Sequence, residues 1–194
     1  MTSNMQLPAR AQTDPWLMII DMQRIFAEPT SEWATPGYAV ASAGIQRLLG
    51  RFESRVCFTR FLAPDSLTGV WTTYYEKWPF ALDPVNATLY ELSDEFLSVP
   101  AIMVDRPTFG KWDVEIDRLL GHPQEIVLAG VTTDCCVLST ALPACDAGVH
   151  VTVVADACAG VTRNDHQRAL DAMALYSPMI DVADVDTVLA SLAT

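Results

Sequence analysis

The sequence has little positive charge. Its 12 lysine and arginine residues are outnumbered by 24 aspartate and glutamate residues, which gives a formal net charge of −12. A chain with this balance repels polyphosphate and offers no basic stripe that would hold it. We therefore expect no nucleic-acid partner.

Long hydrophobic runs and a regular cysteine pattern are also missing. The apolar run at 16–20, which follows a polar start, is far too short for a signal peptide or a membrane span. The five cysteines show no repeating spacing, in a chain of 194 residues that can build a core without disulfides. We expect a cytoplasmic protein without a membrane partner, with a flexible N-terminal segment 1–14 and a single domain over 15–194.

Histidine is scarce. The three histidines, His122, His150 and His166, are scattered along the chain without the spacing of metal ligands. The sequence therefore predicts no metal site and no cofactor.

Six short apolar runs are present, and most of them are separated by segments with helical spacing. This alternation predicts an α/β fold, a three-layer α/β/α sandwich in which helices cover both faces of a parallel sheet. The expected strands are 16–20, 56–59, 101–104, 125–129, 151–155 and 179–182.

Local signals refine the helices. Apolar spacing predicts a helix over 112–120, and Asn164 with Gln167 resembles a capping box that starts a later helix. Pro143 is expected to kink or split the helical stretch 136–147. The connection 61–100 is unusually long, which is typical of a lid or an interface.

Polar residues where the strands end are the candidates for chemistry, because ligands bind outside the carboxyl ends of a parallel sheet. Asp21 follows a wholly apolar run, so it needs a cation or hydrogen-bond donors, either as a buried structural residue or as a catalytic one. Cys135 and Cys136 follow the fourth strand, where free N–H groups favour a thiolate and can hold an oxyanion. Buried apolar cysteines would give the same pattern.

The stretch 128–137, Leu-Ala-Gly-Val-Thr-Thr-Asp-Cys-Cys-Val, is followed by Thr140 and Ala141. Together with the strand that ends in Asp21-Met22-Gln23, it resembles the isochorismatase-like cysteine hydrolases over about 16–182. The resemblance implies a six-stranded parallel sheet with strand order 3-2-1-4-5-6. It also implies hydrolysis of a C–N bond in a small amide or N-carbamoyl compound through a thioester.

The same resemblance implies roles for individual residues. Asp21 is the general base and acid, Cys136 is the nucleophile, and a lysine completes the catalytic triad. A cis peptide falls at Val131-Thr132, and the amides of Thr132 and Cys136 form the oxyanion hole.

This sequence departs from the family pattern at the cation. In many members the lysine directly follows the third strand, a register that Arg106 occupies here, whereas Lys111 comes five residues later. We expect Lys111 to be the triad cation, because a compact ammonium fits between a carboxylate and a thiolate better than a forked guanidinium. Members that hydrolyse nicotinamide carry metal ligands soon after the second strand, but 59–64 contains no histidine. The resemblance therefore predicts a metal-independent enzyme.

The aromatic residues after the second strand are open to two interpretations. Trp71, Tyr74, Tyr75 and Trp78 share one face of a helix, which packs against the domain or a neighbouring subunit, or forms a wall for the substrate. We also expect a homo-oligomer, a dimer or a tetramer. The candidate substrate-binding residues are Gln23, Phe26, Arg106, Trp71, Tyr75 and Trp78.

Other functions stay open at this point. Hydrolysis of a vinyl ether in an isochorismate-like acid would use Asp21 as the acid and would not need the thiol. A thiol redox or binding protein using Cys135 and Cys136, or a non-catalytic relative, are further alternatives. The sequence predicts a small-molecule substrate without identifying it.

Overall fold

A computed structural model describes residues 14–193, in which strands and helices alternate along much of the chain. The strands are β1 (Trp16–Ile20), β2 (Val56–Phe61), β3 (Ile102–Arg106), β4 (Glu125–Val131), β5 (His150–Ala159) and β6 (Ile180–Ala183). The helices are α1 (Arg24–Ala27), α2 (Tyr38–Leu49), α3 (Val70–Lys77), α4 (Val114–Leu119), α5 (Leu138–Asp146), α6 (Arg163–Ala174) and α7 (Val185–Ser191). The predicted flexible segment 1–14 lies, except for Asp14, outside the described residues.

The six strands form one parallel sheet in the order β3-β2-β1-β4-β5-β6, as predicted. In the central strand β1, Leu17 and Ile19 belong to the core on one face, and Met18 and Ile20 belong to the core on the other. A strand covered on both faces needs apolar side chains at every position, which explains why the strands appear as uninterrupted runs.

Helices cover both faces of the sheet. Ala41, Ile45 and Leu48 of α2 pack into one core together with α7, while α4, α5 and α6 pack into the other. The predicted three-layer sandwich is therefore confirmed. None of the helices in the described part of the chain is long and apolar enough to cross a bilayer.

Two local predictions need correction. The helix α6 is capped by Thr162, whose side chain accepts a hydrogen bond from the Asp165 amide, so the cap lies two residues before Asn164. Pro143 does not split α5, which continues from Leu138 to Asp146, and the alternative, a kink at Pro143, stays a prediction. The irregular backbone lies earlier, in a π-helical turn at Thr133–Val137 that joins β4 to α5.

The long connection between β2 and β3 is folded rather than extended. It contains α3 and three short 3₁₀ turns at Pro79–Leu82, Pro84–Tyr90 and Asp94–Phe96. The buried side-chain amide of Gln23 links this connection to the sheet, because Gln23 Nε2 donates to the carbonyl oxygens of Phe61 in β2 (3.0 Å) and of Tyr90 in the connection (2.7 Å).

The formation of a homo-oligomer stays a prediction.

Candidate active site

Asp21 lies directly after β1, at the carboxyl edge of the sheet. Its Oδ1 accepts a hydrogen bond from Thr59 Oγ1 at 2.7 Å, and its Oδ2 lies 3.1 Å from Lys111 Nζ. Both side chains of this ion pair are fully buried. Oδ2 accepts no hydrogen bond among the described residues, so its contact with Lys111 is an ion pair without a hydrogen bond. It can therefore still receive a proton from a neighbouring group.

Lys111 reaches the site from the turn that follows β3. Its ammonium donates to the Thr108 carbonyl at 2.7 Å and lies 5.0 Å from the centre of the Phe61 ring. A Cβ at Gly110 would lie 2.7 Å from the Ser139 carbonyl oxygen in α5, so a glycine allows the turn to approach that helix. The local sequence thus lets the turn deliver the side chain of Lys111 to Asp21.

One hydrogen-bonded side chain joins the lysine segment to the cysteine segment. The Lys111 amide donates to Thr140 Oγ1 at 3.1 Å, and this hydroxyl donates to the Cys136 carbonyl at 2.7 Å. The cation and the thiol therefore belong to a single connected structure, although they are far apart along the sequence.

Arg106, the alternative cation, lies elsewhere. It ends β3 and forms ion pairs with Asp113 at 3.3 Å and Glu115 at 2.6 Å, all on the surface. The structure places Lys111 and not Arg106 beside Asp21.

Cys136 is buried in the π-helical turn at Thr133–Val137. The pKa of its thiol is raised well above the usual value by its hydrogen bond with Cys135, by burial and by the carboxylate of Asp21, while Lys111 opposes the shift. We expected free N–H groups at this turn to favour the thiolate, but at Cys136 the hydrogen bond with Cys135, burial and the carboxylate of Asp21 favour the protonated thiol. The thiol therefore needs a base.

Cys135 is more exposed than its neighbour and differs from it in acidity. The hydrogen bond with Cys136 lowers the pKa of the Cys135 thiol, against the opposing effects of burial and of Asp134 and Asp21.

All five cysteines of the chain are free thiols. The peptide bond between Val131 and Thr132 is cis.

A cavity of about 280 Å³ opens over this site. Two of the six predicted substrate-binding residues, Phe26 and Trp78, line it. The complete lining is Phe26, Glu32, Trp33, Ala34, Phe61, Tyr74, Trp78, Phe109, Thr132, Asp134, Cys135, Cys136 and Val161.

The other four predicted substrate-binding residues are not part of this lining. Arg106 is held by surface carboxylates, and Gln23 is held by the backbone as described above. Trp71 packs against the Phe109 ring, with the ring centres 5.1 Å apart, and Tyr75 is buried. Of the predicted aromatic face, Tyr74 and Trp78 line the cavity and Trp71 and Tyr75 do not; a wall for the substrate stays a prediction.

Sequence reasoning missed the ring at the centre of the cavity wall. Trp33 contacts Phe26, Phe61, Tyr74, Trp78 and Phe80, with centre-to-centre distances of 5.1–6.4 Å. Its segment, between α1 and α2, has neither helical nor strand periodicity, so nothing in the pattern marked it. Phe109 could have been found, since it lies between the two candidate cations in the sequence.

The described residues contain no group of three or more His, Cys, Asp and Glu side chains placed to hold a metal ion. Cys136 instead lines the cavity, and the buried ion pair of Asp21 and Lys111 acts on its thiol electrostatically. This arrangement can generate a thiolate at the cavity floor.

Comparison with known proteins identifies the family to which this chain belongs. The family model described as the isochorismatase domain matches residues 15–184. The chain therefore belongs to the isochorismatase family. A search of curated proteins finds no match.

Solved structures share the fold at low sequence identity. A cysteine hydrolase from Pseudomonas syringae pv. phaseolicola 1448A is 19% identical, with a TM-score of 0.80 and coverage of 92% of each chain. An isochorismatase-like hydrolase from Alkaliphilus metalliredigens is 17% identical, with a TM-score of 0.73 and coverage of 90% of this chain and 96% of that one. The nicotinamidase PncA from Bacillus subtilis is 19% identical, with a TM-score of 0.69 and coverage of 89% and 100%.

Proposed function

We propose that this protein is a cysteine hydrolase that cleaves a C–N bond in a small amide or N-carbamoyl compound through a thioester. The observation that carries the proposal is the buried ion pair between Asp21 and Lys111, which acts electrostatically on the Cys136 thiol. A carboxylate, a cation and a thiol below one small cavity are the groups that nucleophilic attack on a carbonyl requires.

The first half of the reaction forms the thioester. Asp21 takes the proton from the Cys136 sulfur, and the thiolate attacks the carbonyl carbon, so that a C–S bond forms and the carbonyl oxygen becomes an oxyanion. The backbone amides of Thr132 and Cys136 hold this oxyanion. The C–N bond then breaks, and the departing nitrogen takes the proton from Asp21.

The second half releases the acid. Asp21 takes a proton from water, and the resulting hydroxide attacks the thioester carbonyl. The C–S bond breaks, and the proton on Asp21 returns to the Cys136 sulfur. The Lys111 ammonium stabilises whichever of the two acidic groups is ionised. No step uses a metal ion.

The test is a panel of primary amides and N-carbamoyl compounds screened for ammonia release. Untreated enzyme is expected to hydrolyse at least one compound, and enzyme treated with iodoacetamide is expected to be inactive. Turnover of a vinyl ether substrate that survives alkylation, without amide hydrolysis, would favour the alternative in which Asp21 acts as the acid. A native mass lower by two hydrogens would instead indicate a disulfide between Cys135 and Cys136 and a redox role.

A further inference from the structure

The cavity over Cys136 is negatively charged. Its lining contains two carboxylates, Glu32 and Asp134, and no lysine, arginine or histidine among the described residues. Lys111 is not part of the lining, and its ammonium is paired with Asp21. A substrate bound here therefore meets negative charge that no basic side chain of the lining neutralises.

The two carboxylates differ in exposure and in how firmly they are held. Asp134 is half-buried and fixed, because its Oδ1 accepts a hydrogen bond from the Val161 amide at 2.9 Å. Glu32 is exposed, and it forms no ion pair among the described residues. Glu32 is thus free to interact with the part of a substrate that points towards solvent.

The remaining wall is aromatic. Six rings line the cavity, and the Trp33 and Phe26 rings stack with an interplanar angle of 12°. Aromatic faces attract flat rings and cations, since the face of a ring carries negative charge density. The rings and the carboxylates therefore favour the same kinds of ligand and disfavour anions.

We infer that this cavity selects amides on a flat ring that are cationic or neutral, and discriminates against those that carry a carboxylate, with Glu32 as the residue that sets the preference. The inference rests on the proposed function and narrows its substrate class. Ureido acids and isochorismate-like acids would place a carboxylate against Glu32 or Asp134 in a volume of only about 280 Å³. Like charges held this close repel each other.

A matched series of three amides tests this selection. Benzamide, its meta-trimethylammonium derivative and its meta-carboxylate derivative differ chiefly in charge. The expected order of kcat/KM is cationic, then neutral, then anionic, with the anionic compound about tenfold or more below benzamide. The gap is expected to shrink in about 1 M salt, where the Debye length is about 3 Å. An anionic compound that is turned over as well as benzamide would overturn the inference.

A pair of variants assigns the preference to Glu32. Glu32→Gln is expected to narrow the gap between the anionic and neutral compounds several-fold, because one of the two lining charges is removed. Glu53→Gln is the matched control, since Glu53 is an exposed glutamate in the turn before β2, at the opposite edge of the sheet. Equal effects of the two variants would refute the role of Glu32.

Binding to the Cys136→Ala variant separates this inference from the proposed function. The dissociation constants of the three amides follow from quenching of tryptophan fluorescence, since Trp33 and Trp78 line the cavity. If the affinities keep the expected order but the wild type hydrolyses no amide, charge selection stands and the proposed function fails. If all three bind equally, or none binds, charge selection fails, while hydrolysis by the wild type still supports the proposed function.

Discussion

Replacing Lys111 with methionine tests the buried ion pair most directly. Methionine keeps much of the side-chain volume and removes the charge, which leaves the carboxylate of Asp21 buried without its cation. Breaking a fully buried pair by removing one partner costs about 3–5 kcal/mol. For a domain of this size, that loss lowers the melting temperature by roughly 6–20 °C.

The double variant Asp21→Asn/Lys111→Met separates the cost of an unpaired charge from the cost of altered packing. With no charge left at either position, we expect it to be more stable than Lys111→Met alone, with a coupling energy of about 2 kcal/mol or more. Activity is expected to behave differently. Lys111→Met is expected to lower kcat/KM about 10²–10⁴-fold, and the double variant is not expected to recover it, because the proposed general base is then also lost.

Urea denaturation and differential scanning calorimetry measure the stability, and ammonia release measures the activity. Arg106→Met is the matched control, because its ion pairs are on the surface, where such pairs contribute about 0–1 kcal/mol. The reasoning would be refuted if Lys111→Met unfolded within about 1 kcal/mol of the wild type, or if Arg106→Met lost more activity than Lys111→Met did.

Three further predictions follow from the same structure. Cys136→Ser is expected to lower kcat/KM at least about 10³-fold, whereas Cys135→Ser stays within about tenfold of the wild type; the reverse result in an ammonia assay would exchange the two assignments. Gly130→Ala is expected to cost about 3 kcal/mol or more in urea denaturation, because its φ is 118° and a Cβ would lie 2.2 Å from a carbonyl oxygen of β1; a native-like midpoint would contradict this. Burial lowers the pKa of His166 in the folded state below the ordinary value of about 6.5 that it has in the unfolded state. The unfolded state therefore binds more protons as the pH drops through about 6.5, and the free energy of unfolding is expected to fall. His166→Gln should reduce this dependence, and an unchanged pH profile would count against it.

Much of the fold could be predicted because its signals are local in the sequence. A parallel sheet covered on both faces requires apolar strands, and β1 is therefore visible as a run of apolar residues that ends in Asp21. The carboxyl ends of parallel strands meet at one edge, so Asp21, Lys111 and Cys136 could be expected near one another. The choice of Lys111 over Arg106 depended on the shape of the cation and not on its position.

Other features depend on tertiary packing, which the sequence does not display. The side-chain amide of Gln23 forms hydrogen bonds with backbone groups of other segments. The sequence does not distinguish this structural role from a role in binding a substrate. Trp33 lies in an irregular segment, so periodicity could not identify it as the centre of the aromatic wall. The pKa of Cys136 is raised by its hydrogen bond with Cys135, by burial and by the carboxylate of Asp21, and the last two causes come from tertiary packing that the sequence does not display.

The route that Lys111 takes to Asp21 matters for the recognition of relatives. A sequence pattern that demands lysine at the end of the third strand would reject this chain, or would choose Arg106, although it is the Lys111 ammonium that lies 3.1 Å from Asp21. A pattern that accepts Gly-Lys-Trp five residues further on would gather proteins that solve the same geometric problem with a different loop. Comparing the positions of charged atoms in structures is therefore a sounder way to identify the cation in such chains than comparing their aligned sequences.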